Sequence, residues 1–201
     1  ELSREAAKYI ARAMAYDDVI RVADLKTRRS RFDRLQNEIR PDNTAVMHVT
    51  EFMHPRAEEI VGLLPAKLGA RLEKNPKRIG QIDRMFNKGR RVRSSSLVGF
   101  AMLYFLGGLR RWRLKTLRHA QEQEHLNAWL AKVRAIAPDD YALAVEVLRC
   151  RRLIKGYSDT HARGQSKFDR VLAALELLSG RDDAADWLRR LCDAALQDED
   201  S

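Results

Sequence analysis

The 201 residues include only two cysteines, five prolines and ten glycines, and aromatic side chains make up 7%. Cys150 and Cys192 form no C-x-x-C pair and no metal-ligand spacing, so they read as buried free thiols of a reducing cytoplasm. Two thiols fall short of the four that an iron–sulfur cluster ordinarily takes, which excludes a cluster held by this chain alone. Runs of β-branched residues are almost absent, and with them the pattern of a sheet protein. The longest uncharged stretch, "SSSLVGFAMLYFLGGL" at 94–109, has too short an apolar part for the ~20 residues of a membrane helix. No G-x-x-x-x-G-K-[ST], G-x-G-x-x-G, H-E-x-x-H or G-x-S-x-G sequence occurs, so phosphate-loop, dinucleotide, zinc-protease and hydrolase chemistries lack their residues. The chain starts at Glu1 with no basic-then-apolar leader, and reads as a piece excised from a longer polypeptide.

What is present is helix. Hydrophobic residues at 45% and charged residues at 33% are the composition of a folded, helix-rich domain. Ser3 is placed to cap a first helix, and the apolar spacing continues through Leu25, Phe32 and Leu35 until Pro41. "NTAVMHVTEFMHP" is the one stretch whose alternation suits a short extended segment. Pro55, Pro65 and Pro76 then each stand where a short helix can begin. The stretch around Phe100, Leu103, Tyr104 and Leu106 is apolar on nearly all sides and predicts a central, buried helix. A helix follows over 109–136 with Trp112 and Trp129 as core anchors, "PDD" at 138–140 opens the next, Gly180 ends another, and Ala184, Leu188, Leu191 and Ala195 mark the last. The expectation is an all-α fold, one domain over 1–201, a single irregular bundle of about seven to nine helices around a central apolar helix at 97–107.

The net charge of +10 is unevenly spread. Residues 67–93 hold ten Lys/Arg against Glu73 and Asp83, and "RRWRLKTLR" at 110–118 holds five against none, whereas 181–201 is acidic. Arg90, Arg91, Arg93, Arg110, Arg111, Arg113 and Lys115 form a candidate docking face for acidic protein, or, in a competing reading, for nucleic acid. A third reading, a small-molecule-binding bundle, requires a defined apolar pocket with convergent polar groups.

Among the five histidines, His48 and His54 bracket Glu51 without the spacing of a helical metal pair, and His119 and His125 read as solvated or outer-layer groups. His161 stands apart in "KGYSDTHARG" at 155–164. The order of residues suggests a turn between two helices, with Gly156 and Gly164 relieving the backbone, Asp159 or Thr160 capping the following helix, and His161 packed back on the fold. The same residues, Lys155, Tyr157, Asp159, Thr160, His161 and Arg163, could instead hold an anionic ligand or a partner. No second acid, nucleophile or metal set stands near them in sequence, so no catalytic residue is assigned.

"CRRLIKGYSDTHARGQSKFDRVL" at 150–172 resembles a segment of the beta subunit of indolepyruvate ferredoxin oxidoreductase, in the helical region after its 2-oxoacid oxidoreductase gamma-type domain. "YDDVIRVADLKTRR" at 16–29, "VTEFMHPRAEEI" at 49–60 and "WRLKTLRHAQEQEHLNAWL" at 112–130 resemble it too. The resemblance implies an oxidative decarboxylase of arylpyruvates that uses thiamine diphosphate, coenzyme A and iron–sulfur clusters and passes electrons to ferredoxin. It places those cofactors on other parts of the complex. This chain is then an accessory domain without cofactor or catalytic residue. Its implied partners are the gamma-type domain of the same polypeptide and the thiamine-binding alpha subunit, with no membrane.

Overall fold

A computed structural model describes residues 1–16, 18–39, 48–53, 56–86, 89–156 and 159–197, with the side chains of Arg90 and Asp159 left out. Pro41, His54, Pro55 and Tyr157, singled out in the sequence, lie outside the described residues. Among the described residues the fold is all-α apart from one small two-stranded antiparallel sheet. In chain order come α1 (Leu2–Met14), α2 (Val19–Thr27), α3 (Arg29–Ile39), β1 (Thr50–Met53), α4 (Ala57–Gly62), α5 (Ala66–Glu73), α6 (Pro76–Phe86), β2 (Arg90–Arg93) and α7 (Leu97–Gly108). A 3-10 helix, Leu109–Lys115, leads to α8 (Leu117–Ile136) and α9 (Tyr141–Arg149). A second, Cys150–Leu153, leads to α10 (Asp159–Ala173), α11 (Leu175–Leu178) and α12 (Ala184–Gln197).

Local chemistry accounts for many of these boundaries. Asp18 caps α2 by accepting from the Arg21 N–H at 2.8 Å, and Asp140 of the "PDD" caps α9 by accepting from Leu143 N–H at 2.8 Å. Pro65 is the N-cap of α5, and Pro76 is the first residue of α6, where its missing N–H costs nothing. Gly180, at φ 77°, follows α11 in the left-handed region. Ser3, by contrast, lies inside α1, which starts one residue earlier with Glu1 as an N-cap that makes no side-chain capping bond.

The chain's contacts divide it into two compact units, where the sequence suggests one domain: residues 1–16 with 122–201, and residues 17–121. In the first unit α9 packs on α1 and α12, and α10 lies against residues 150–153. Trp129, Leu148, Phe168 and Leu188 are among the buried side chains that close this core.

In the second unit α2 packs along α7. At Gly107 a Cβ would stand 2.9 Å from Asp24 Cα, so the glycine is what lets the two backbones approach. β1 pairs antiparallel with β2, Thr50 opposite Arg93 and Phe52 opposite Arg91, so the extended segment expected before Pro55 is present over 50–53. Few large side chains close this unit: among the described residues its buried apolar set is Ile20, Ala23, Ala57, Val61, Leu103 and Leu117.

That scarcity corrects one expectation. The apolar stretch at 97–107 is helical as α7, but it is buried only through Gly99, Leu103 and Gly107, while Leu97, Val98 and Phe105 are 86%, 80% and 70% exposed and Tyr104 is also exposed. A helix apolar on every side needs neighbours on every side, and this unit supplies them mainly along the α2 side. Trp112 is likewise exposed, with its indole N–H donating to the Leu63 carbonyl at 3.3 Å, whereas Trp129 is the core anchor expected. The helix expected over 109–136 is broken at Thr116, whose hydroxyl donates to the Arg113 carbonyl at 2.7 Å and which bridges to Pro65.

Candidate functional site

Residues 122–130 of one motif-bearing stretch and the stretch 150–172 meet inside the first unit. Glu122 and His125 come from α8, Arg151 from the 3-10 turn after α9, and His161 and Asp169 from α10. Arg151 is almost fully buried, with its guanidinium over the Trp129 and Phe168 rings at 5.5 and 5.6 Å. It approaches Glu122 Oε2 at 3.8 Å and His125 Nδ1 at 2.5 Å. His161 Nε2 lies 3.4 Å from Glu122 Oε1.

A guanidinium only donates, so Nδ1 of His125 accepts and the ring is neutral, with its proton on Nε2 facing Asp169 Oδ1 at 3.5 Å. Burial, and then the positive charge of Arg151, hold the His125 pKa below the ordinary imidazole value, against the pull of Asp169 and Glu122. Among the described residues no buried side-chain polar atom lacks a hydrogen-bond partner. The buried polar atoms of the network are therefore satisfied, which is the chemistry of a structural lock.

This arrangement separates the residues of 155–164. His161 faces inward onto Glu122, while Lys155, Thr160 and Arg163 are exposed, and two positions along a helix place Arg163 on a different face from His161. The expected turn is also shorter than 155–164, because α10 begins at Asp159 and takes in Thr160, His161, Arg163 and Gly164. Gly156, at φ 69°, makes the turn. Gly164 instead permits a close approach between backbones, since a Cβ there would stand 2.6 Å from the Leu153 carbonyl oxygen and 3.1 Å from Ile154 Cα. Gly164→Ala should therefore lower stability by about 1–3 kcal/mol, read by urea denaturation, because backbone on both sides has nowhere to go.

The other two stretches, 16–29 and 49–60, meet in the second unit at Glu51. Its carboxylate accepts from Lys26 Nζ at 2.7 Å and pairs with Arg31. Burial alone would raise its pKa, but the Lys26 hydrogen bond and the charges of Lys26 and Arg31 win and hold it below the usual carboxylate value. Asp18, besides capping α2, binds Arg113 Nε at 2.5 Å. Arg113 thus leaves the basic docking face and joins the fold.

Of the remaining basic candidates, Arg91, Arg93, Arg110, Arg111 and Lys115 are exposed, and only the backbone of Arg90 is described. The two basic runs touch where Gly69 meets Leu117, since a Cβ on the glycine would stand 2.8 Å from Leu117 Cβ. Arg91 and Arg93, however, stand at one end of α7 and Arg110, Arg111 and Lys115 past the other, and its twelve residues span about 18 Å. Between them lies the exposed apolar face of α7, and beside it a groove of about 660 Å³ lined by Phe52, Val98 and Met102 with Arg91 and Arg93 at its wall. Arg91 lies over the Phe52 ring at 5.3 Å.

Cys150 and Cys192 are both buried free thiols, 1% exposed, as the sequence suggests. The hydrogen bond between them pushes Cys150 up, with burial adding to it, and draws Cys192 down to about 7, helped by Arg152 Nε at 3.3 Å from Sγ. Among the described residues no group of three or more His, Cys, Asp or Glu side chains could hold a metal ion. No helix of the described residues is long and apolar enough to cross a membrane.

A model of a family of unknown function, DUF6537, matches residues 1–174. The chain belongs to DUF6537. The matched span holds both charged nodes, α7 and the groove, and leaves out α12, the helix that carries Cys192. No curated protein and no solved structure matches this DUF6537 chain significantly.

The depressed pKa values of His125 and Glu51 have the same sign in their effect on the DUF6537 fold. A folded-state pKa below the unfolded value contributes stability that is present above the unfolded pKa and is lost as pH falls toward the folded one. For His125 the loss starts below about pH 6.5, and for Glu51 below about pH 4.5. His125→Gln should accordingly flatten the decline in melting temperature between about pH 7 and 5.5. A slope equal to the parent's would contradict the neutral, Arg151-facing imidazole.

Proposed function

We propose that this chain is an accessory helical domain of an indolepyruvate (2-oxoacid):ferredoxin oxidoreductase, supporting subunit assembly in the cytoplasm without catalysing a step. The resemblance of four stretches supports the assignment. One observation carries the non-catalytic part: the motif-bearing polar groups Glu122, His125, Arg151 and His161 are turned on one another, as are Lys26, Arg31 and Glu51, so none is presented to a substrate. The donor set also does not fit an iron–sulfur cluster, since the two thiols face each other and two ligands fall short of four. Thiamine diphosphate, coenzyme A and the clusters are then held by the gamma-type domain and the thiamine-binding subunit, with ferredoxin as the electron acceptor of the complex.

The isolated chain should bind no thiamine diphosphate, contain no cluster iron and oxidise no indolepyruvate, yet co-purify with the thiamine-binding subunit when the two are expressed together. Stoichiometric cluster iron in the isolated chain overturns this division of labour. The nucleic-acid reading draws on the exposed Arg110, Arg111 and Lys115, but an apolar helix face separates them from Arg91 and Arg93, and a phosphate backbone cannot cover that face. Duplex DNA should bind weakly and dissociate by physiological salt, as simple phosphate neutralisation does.

A further inference from the structure

We infer that the exposed face of α7 and the adjoining groove are the seat of an acidic, apolar-faced helix from a protein partner. Three observations lead there. First, the unit of residues 17–121 buries few large apolar side chains while exposing Leu97, Val98, Tyr104 and Phe105 along one helix, with Phe52 open beside them. An exposed apolar patch of that kind marks an interaction site. Second, the patch has the shape for a helix: Val98, Met102 and Phe105 follow the i, i+4, i+7 spacing of a helical stripe, and Ala101 and Gly108, both exposed, keep part of the face low enough for close approach. Third, its charge selects the occupant. Arg91 and Arg93 stand at one end of α7 and Arg110, Arg111 and Lys115 at the other, and among the described residues none of these five makes an ion pair with a carboxylate.

A second copy of this chain would set like charges against like, which disfavours self-association through this face. Nucleic acid meets the charge but leaves the apolar stripe uncovered. A helix with an apolar stripe and Asp/Glu on its flanks satisfies both at once, with the acids reaching the arginines at the rim and setting register and association rate.

This rests on the reading above only in that the chain docks to a protein, and its test is separate. The probe is a synthetic helical peptide of about five turns with Leu along one face and Glu on the flanks, compared with the same peptide carrying Lys in place of Glu. Binding to the full chain is followed by fluorescence anisotropy, with phosphatidylglycerol–phosphatidylcholine vesicles and duplex DNA measured alongside. The Glu peptide should bind at least about tenfold more tightly than the Lys peptide. Val98→Glu, at an exposed position that leaves the melting temperature unchanged, should weaken it by a similar factor. Arg91→Glu/Arg93→Glu should turn the preference toward the Lys peptide.

Equal binding of the two peptides, indifference to Val98→Glu, or tighter binding of vesicles or DNA overturns the inference. If the thiamine-binding subunit associates with the chain and Val98→Glu leaves that association intact, this surface is wrong while the accessory role stands. If the Glu peptide binds as expected and no oxidoreductase subunit associates, the accessory role is wrong and the surface stands.

Discussion

Trp129→Ala should be the most damaging single truncation in the first unit, costing about 3–5 kcal/mol. The indole is 2% exposed and is among the largest fully buried side chains described. Its N–H donates to the Val147 carbonyl at 3.0 Å, which ties α8 to α9, and its ring lies under the Arg151 guanidinium. Truncation therefore leaves a cavity, strips a buried carbonyl of its donor and removes one aromatic face from a buried cation. For a chain of this size the melting temperature should fall on the order of 10 °C, read by circular dichroism. Trp112→Ala, at an exposed indole, should cost far less. Equal losses at the two positions would contradict the placement of the core.

Arg151→Met should come close behind, at about 3–5 kcal/mol, for an electrostatic reason. Methionine can fill the space between Trp129 and Phe168, so the loss is not mainly one of volume. What it leaves is Glu122 almost fully buried, with a cation removed from its side, and a His125 whose Nδ1 has lost its donor. Neutralising the orphaned acid should recover part of the damage: Arg151→Met/Glu122→Gln is expected to be more stable than the sum of the single variants implies, by about 1 kcal/mol or more in a double-mutant cycle. Additive effects would show that the two charges do not sense each other, and the lock at the 150–172 motif would fail.

Much of the local structure is legible in the sequence because it depends on local chemistry. Pro65 and Pro76 start helices, the acids of "PDD" open α9, alternation at 50–53 gives a strand, and glycine marks the turn at 156 and the end at 180. The inward turn of His161 is legible too, from the order of small and polar residues around it. The partner of His161 is not. Glu122 sits in "HAQEQEH", which reads as a solvated helix face, and nothing local distinguishes it from Glu124 two residues on, which is exposed. The signal that could have found it is indirect: Trp129 and Phe168 are the kind of large aromatic pair that lines a buried cation, and Arg151 is the basic residue between them.

The exposure of α7 is invisible for a different reason. Hydrophobicity states what a helix face requires, and α7 is apolar all round, but the pattern does not say whether this chain supplies the cover. The basic runs suffer the same limit. Their sequence proximity suggests one patch, whereas the length of α7 holds Arg91 and Arg93 apart from Arg110, Arg111 and Lys115, and one member, Arg113, is tied up by Asp18.

The most direct measurement is indolepyruvate turnover with ferredoxin as acceptor, by the oxidoreductase with and without this domain, normalised to bound thiamine diphosphate and iron. The expected result is that removing the domain lowers turnover and subunit association while cofactor content per thiamine-binding subunit stays the same. Turnover undiminished in its absence, or cofactors lost together with it, would contradict an accessory, non-catalytic role.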